Sequence, residues 1–310
     1  MNNPLSSSSS SSRRADLLSP QELAAMGGLE LLARSVVEGF LMGLHRSPHR
    51  GFSAEFAELR SYRPGDELRH IDWRMFARSD RYYVKQFEEE TNLRAHILLD
   101  LSASMDWSSA PDSLPTKLWY GRLLAAAIAL ILLRQGDRAG LTLFDEEIRS
   151  WLPDRGGRRQ WTELAQRLAA AEAGKGTDPG EALRTAALRL RRRGLVVLIS
   201  DLLMDPESTL RSLQFLRHRG HQVMVLHLLD PGERELAGTG EVHFLDPETG
   251  EEMRVDVPEM RKEYREAVDQ AVEEWRRNLG PRGMDYHLVD TSLPISRALR
   301  AVLTKRSRLG

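Results

Sequence analysis

Strands alternating with helices along residues 94–305 predict a doubly wound α/β domain built on a mostly parallel sheet. Two further observations point the same way. Residues 96–99 and 195–200 are short, nearly uninterrupted apolar runs, the pattern of strands buried on both faces. Between them, residues 117–135 carry Leu118, Leu123, Leu124, Ile128, Ile131 and Leu132 around most of the helical circumference, which fits a helix at the centre of such a domain.

Taken in order, residues 1–18 hold a serine tract, Ser6 to Ser12, followed by Arg13 and Arg14. Such a segment buries too little apolar surface to order itself and reads as a disordered tail. Ser19-Pro20-Gln21-Glu22 has the pattern of a helix start, with Ser as N-cap, Pro at the first turn and Glu three residues on. Leu29, Leu32, Val36 and Phe40 then recur at helical spacing, predicting one or two amphipathic helices over about 20–43. After the apolar helix, residues 137–144 read as a strand and 147–152 as a short edge strand. Trp161, Leu164 and Leu168 mark a second helix, and residues 179–193 a third that ends in the basic run 189–193. Residues 208–219 read as a helix and 222–229 as a strand. Residues 231–257, with the turn Asp246-Pro247-Glu248-Thr249-Gly250, read as an inserted hairpin. A long helix over 258–279 presents Met260, Tyr264, Val268 and Val272 on one side. A strand over 284–289 and a helix over 294–305 complete the pattern. The expected organisation is a tail (1–18), an N-terminal extension (19–93) and the α/β domain (94–305).

Composition removes several functions. The chain is 41% hydrophobic and 29% charged with a net charge of -1, so no overall basic bias directs it to nucleic acid. It has no cysteine, which excludes disulfides, thiolate catalysis and cysteine-based zinc sites. The longest apolar run, residues 123–133, falls well short of the roughly 20 residues a membrane span needs. The start Met1-Asn2-Asn3-Pro4 lacks the basic-then-apolar pattern of a signal peptide, so the expected location is cytoplasmic.

The stretch with the most chemistry is Asp100-Leu101-Ser102-Ala103-Ser104. It delivers one carboxylate and two hydroxyls at the C-terminal end of a strand, where open α/β sheets bind ligands. Hard oxygen donors on a tight loop suit Mg²⁺. The D-x-S-x-S pattern resembles the metal-ion-dependent adhesion site of von Willebrand factor A domains. That resemblance implies two further ligands, Thr177 in the loop Gly174-Lys175-Gly176-Thr177-Asp178 and Asp201 after the strand Leu198-Ile199-Ser200. The serines would ligate Mg²⁺ (or Mn²⁺) through their hydroxyls, and the carboxylates directly or through water. One position would stay open for a partner's carboxylate. The plainer alternative makes Thr177 and Asp201 helix caps.

Other chemistries fit less well. A phosphate loop needs G-x-x-x-x-G-K-[ST], but Ala169 stands at the first position and Gly176 separates Lys175 from Thr177. A dehalogenase-like phosphatase using Asp100 as nucleophile wants a second Asp where Ser102 stands. His45 with His49, and His218 with His221, lack a third zinc ligand. Arg189, Arg191, Arg192 and Arg193 are explained by the dipole at a helix C-terminus, and no nucleic-acid role is expected.

Residues 44–93 alternate arginines, carboxylates and single aromatics with little amphipathic period. In order they contain His45-Arg46-Ser47, Arg50-Gly51, Glu55-Phe56, Arg60-Ser61-Tyr62-Arg63-Pro64-Gly65-Asp66, Arg69-His70-Ile71-Asp72-Trp73, Ala77-Arg78 and Glu88-Glu89-Glu90, and lead into Asp100-Leu101-Ser102-Ala103-Ser104-Met105. This string resembles the signature of a bacterial family known as domain of unknown function fifty-eight, over roughly residues 40–305. In that family the signature precedes a von Willebrand factor A-like domain. The resemblance implies a metal-dependent, non-enzymatic adaptor that works with a MoxR-class AAA+ ATPase and a client protein offering a carboxylate. Its alternatives are a metal-dependent hydrolase using Asp100 and a structural module with a vestigial metal site.

Overall fold

The computed structural model describes residues 28–45, 59–62, 73, 75–76, 82–85, 93–174, 180–236, 238, 240–245 and 252–306. The expected tail, the helix start at Ser19 and most of the arginine-rich string lie outside the described residues.

In chain order the elements are α1 (Leu29–His45), β1 (Leu59–Ser61), β2 (Tyr83–Lys85), β3 (Arg94–Asp100), α2 (Lys117–Arg134), β4 (Arg138–Phe144), β5 (Ile148–Arg155), α3 (Arg158–Ala169), α4 (Gly180–Arg189), β6 (Leu195–Ser200), α5 (Pro206–His218), β7 (Gln222–Leu229), α6 (Pro231–Glu235), β8 (Glu241–Leu245), β9 (Glu252–Asp256), α7 (Val257–Leu279), β10 (Asp285–Asp290) and α8 (Ser296–Arg306). Six strands form one sheet in the order β10-β7-β6-β3-β4-β5. Every neighbouring pair is parallel except β4 with β5, which is antiparallel and closes one edge. The doubly wound expectation is therefore met. The chain moves from β3 to β4 on one side, then crosses back to β6 on the other. The C-terminal end of β3 is thus the topological switch point, where such sheets bind ligands.

Alternation along the strands sorts the core into two layers. Ile97, Leu99, Val197, Ile199, Met224 and Leu226 meet residues of α1, α2, α3 and α8 on one face. Leu98, Val196, Leu198, Val223 and Val225 meet α4, α5 and α7 on the other. Helix α2 is buried nearly all round, which is why its sequence shows no polar stripe. Thr116 caps it, accepting a hydrogen bond from the Trp119 amide at 3.2 Å. Helix α1 packs directly on α2 through Leu32, Val36 and Phe40, so it belongs to the same core as the sheet.

Several boundaries differ from the sequence reading, each for a local reason. Helix α5 begins at Pro206 because the Asp205 carboxylate accepts from the Ser208 amide at 2.7 Å. Helix α4 stops at Arg189, so Arg191, Arg192 and Arg193 lie beyond its end; the following Leu190 turns into the core. The hairpin expected over 231–257 is β8 with β9, but residues 231–235 form a short helix held by a capping box between Asp230 and Glu233. No helix among the described residues is long and apolar enough to cross a membrane.

Two buried histidines give the fold a pH dependence. His96 meets the Thr142 hydroxyl at 2.8 Å and stacks on Trp151; His227 meets the Tyr286 hydroxyl at 2.7 Å. Burial pushes each imidazole from an ordinary 6.5 down to about 4. The folded state resists taking up these protons, so their stabilisation is present above pH ~6.5 and is lost as pH falls toward ~4, by about 3 kcal/mol for each histidine. In denaturant melts across that window, the difference between wild type and His96→Gln is expected to show one histidine's share of this fall. Parallel profiles for variant and wild type would contradict the assignment.

Candidate metal centre

Strand β3 is buried along Ala95–Asp100 and ends on Asp100, which has no exposed surface. A carboxylate in that position must be satisfied by its neighbours. Its Oδ1 accepts from the Ser102 amide at 2.8 Å, and its Oδ2 accepts from the Ser200 hydroxyl at 2.7 Å. Ser200 is supplied by β6, since the pairing of Leu99 with Ile199 brings the ends of the two strands side by side. The Ser200 oxygen also accepts from the Leu202 amide at 2.9 Å, in a turn where Leu202 adopts φ +56°. Burial first, and the neighbouring Asp201 second, push the Asp100 carboxyl up to about 7.

Beyond Asp100 the chain turns through a short 3₁₀ segment, Ala103–Asp106. The turn brings the Ser102 and Ser104 hydroxyls within 3.1 Å of each other, both buried. Asp201, one residue past β6, is also buried and lies close enough to Asp100 to raise its pKa. Asp201 does not cap the next helix; Asp205 does. Four of the five expected ligands, Asp100, Ser102, Ser104 and Asp201, thus belong to the ends of two adjacent strands. Thr177 lies outside the described residues. Of the residues before it, Gly174 is described: its amide donates to the Leu101 carbonyl at 2.6 Å, which holds Gly174 beside the end of β3.

The sequence reading missed the group that dominates the electrostatics here. Lys117, the first residue of α2, is completely buried. Its ammonium donates to Asp201 Oδ2 at 2.8 Å and to Glu233 Oε1. Glu233 is braced in turn, its Oε2 accepting from the Asp230 amide at 3.0 Å. Asp230 accepts from the Gly232 amide at 2.7 Å and the Ser109 amide at 3.3 Å, joining the end of β7 to the loop before α2. Burial works against the ammonium, but Asp201 and Glu233 together hold its pKa above the ordinary lysine value. Two signals were present in the sequence: a lysine opening a largely apolar helix, and the D-P-x-E pattern at the end of a strand.

These residues make a hard oxygen donor set of two hydroxyls and two carboxylates, which fits Mg²⁺ or Mn²⁺. It differs from a centre built on carboxylates and imidazoles alone; among the described residues no three His, Asp or Glu side chains gather to hold an ion. Ser102 and Ser104 would hold the cation, with Asp100 and Asp201 offsetting its charge.

Next to the donor loop, a cleft of about 540 Å³ is lined by Leu143, Asp145, Arg149, Arg167 and Gly174. The buried Asp145 carboxylate pairs with Arg149 at 2.7 Å and lies against Gly174, where an added Cβ would overlap its Oδ2. Gly174→Ala is therefore expected to destabilise the protein by ~1–3 kcal/mol through overpacking. Combined with Asp145→Ala, part of that loss should vanish, giving a coupling energy of at least ~0.5 kcal/mol in a double-mutant cycle. Strict additivity in urea melts would show that the two groups do not collide.

Comparison with known proteins places this geometry in context. Residues 58–274 match the family model described as Protein of unknown function DUF58. The chain is 32% identical over 260 residues to the uncharacterized protein Rv1480 of Mycobacterium tuberculosis, covering 82% of this chain and 80% of that one. The same figures hold for the uncharacterized protein Mb1516 of Mycobacterium bovis. Among solved structures, the chain is similar to the conserved hypothetical protein BatB from Bacteroides thetaiotaomicron, with 18% identity, a TM-score of 0.44, and coverage of 69% of this chain and 98% of that one. It is also similar to the SpRpn10 VWA domain, with 13% identity, a TM-score of 0.40, and coverage of 67% and 95%. The extent of the sequence match settles the family: this chain belongs to DUF58.

Proposed function

We propose that this protein is a metal-dependent protein-binding adaptor whose binding face is the C-terminal end of β3 and β6. The observation that carries the reading is the pair of facing hydroxyls, Ser102 and Ser104, set beside two buried carboxylates at the switch point of the sheet. A divalent cation bound there supplies an electrophilic centre for a partner's carboxylate. The chain's own residues do the rest. The Ser102 amide and the Ser200 hydroxyl fix the Asp100 carboxylate, and Asp201 brings a second buried carboxylate from the neighbouring strand. Leu203, next to Asp201 and 60% exposed, offers an apolar contact beside the charged one.

The same geometry weighs against a hydrolase that uses Asp100 as nucleophile. Both of its oxygens are engaged, and the residue has no exposed surface from which to attack a substrate. The partner class that fits the reading is a MoxR-class AAA+ ATPase, together with a client that presents a carboxylate, in the cytoplasm.

Titration calorimetry with MgCl₂ and MnCl₂ tests the site. Wild type should bind one ion, and Ser102→Ala, Asp100→Ala and Thr177→Ala should each weaken binding by about tenfold or more, the cost of losing one hydrogen-bonding or charged ligand. Equal binding by wild type and Asp100→Ala would refute the assignment. For the partner, affinity for the ATPase should fall on adding EDTA and in Ser102→Ala. Binding that is indifferent to both would leave an adaptor without a metal.

A further inference from the structure

Asp201 is already occupied by a cation that belongs to the chain. The Lys117 ammonium lies 2.8 Å from Asp201 Oδ2, is fully buried and has Glu233 as its second partner. Three features make this more than an incidental ion pair. The lysine is placed by the rigid start of α2, whose first-turn amide donates to the Trp107 carbonyl at 3.2 Å and whose cap is Thr116. Glu233 is fixed independently by its capping box, so it keeps its position whether or not Lys117 leans toward Asp201. The Trp107 ring centroid lies 6.0 Å from the ammonium, giving it a further favourable contact besides the two carboxylates.

We infer that Lys117 is a tethered competitor for the divalent cation at Asp201, and that Glu233 is the counter-ion on which Lys117 rests when Asp201 turns to the metal. This inference rests on the proposed metal site and adds to it the residues that set its affinity. The reasoning is one of charge. Without a metal, Asp201 and Asp100 would be two carboxylates buried side by side, and the ammonium offsets their repulsion. With a metal bound, the same ammonium is a like charge close to the ion and weakens its hold. A lysine with only one acidic partner would be left buried and unpaired on displacement, at high cost. Glu233 removes that cost, so exchange between the two cations becomes feasible.

The two residues therefore act in opposite directions on metal affinity. In calorimetric titrations with MnCl₂, Lys117→Gln should bind about tenfold or more tightly than wild type, since a like charge is gone. Glu233→Gln should bind several-fold more weakly, because displaced Lys117 then has no carboxylate. General damage to the site would weaken both. Lys117→Gln leaves Asp201 without its partner, so its melting temperature is also read with EDTA and with excess MnCl₂. The ion should raise it by more than it raises that of wild type, and folding of this variant only in MnCl₂ would be the extreme form of the expected result. Glu233→Gln, which keeps the lysine pair with Asp201, carries the test should Lys117→Gln stay unfolded in both. Metal binding that Ser102→Ala weakens, but that is unchanged or weakened in a folded Lys117→Gln, would overturn the competitor role and leave the metal site standing, as would unchanged binding by Glu233→Gln. No binding by any of these proteins, Lys117→Gln included, would overturn both.

Discussion

Burying strand β3 on both faces is the constraint from which the site follows. A strand covered by helices on either side can end in a carboxylate only if the neighbouring chain supplies every donor. Here β6 provides the Ser200 hydroxyl and the following turn provides the Ser102 amide. The strand end is then rigid, because moving Asp100 would break hydrogen bonds to two different elements. The parallel register that packs the core thus also places the carboxylates. Asp100 and Asp201 leave the sheet side by side because Leu99 and Ile199 are paired within it.

A buried cluster of Asp100, Asp201, Glu233 and Lys117 is costly unless nearly every oxygen and proton has a partner. The hydrogen bonds around it meet that requirement. They also link parts of the chain far apart in sequence: β3, the start of α2, the end of β6 and the turn after β7. Pairs of charges on the surface of the same molecule, such as Arg184 with Glu181, are local and contribute little by comparison. The polar interior of this fold is concentrated at the end of the sheet where a ligand would arrive.

Much of this was legible in the sequence. Apolar runs and their alternation with helices gave the sheet, its mostly parallel pairing and the position of Asp100, because burial on both faces leaves a simple pattern. Four of the five candidate ligands could be located as residues at strand ends. What the sequence hid was partnership across distance. Lys117 looked like the polar start of an apolar helix, and its pairing with Asp201, 84 residues away, follows only from the assembled sheet. Ser200 was read as the last residue of a strand, although its hydroxyl serves two groups at once. Helix boundaries shifted where a single side chain decides them: Asp205 for α5, and Asp230 with Glu233 for α6.

Helix α1 has a consequence of another kind. It lies outside the stretch shared with the family model, which begins at residue 58, yet Leu32, Val36 and Phe40 are as deeply buried as the strands themselves. The boundary of the family model and the boundary of the folding unit therefore fall in different places. A fragment trimmed to the family's borders would uncover an apolar stripe along α2 and would have to hide it against another molecule. In such a protein, self-association would report where the cut was made and would say nothing about the native partner.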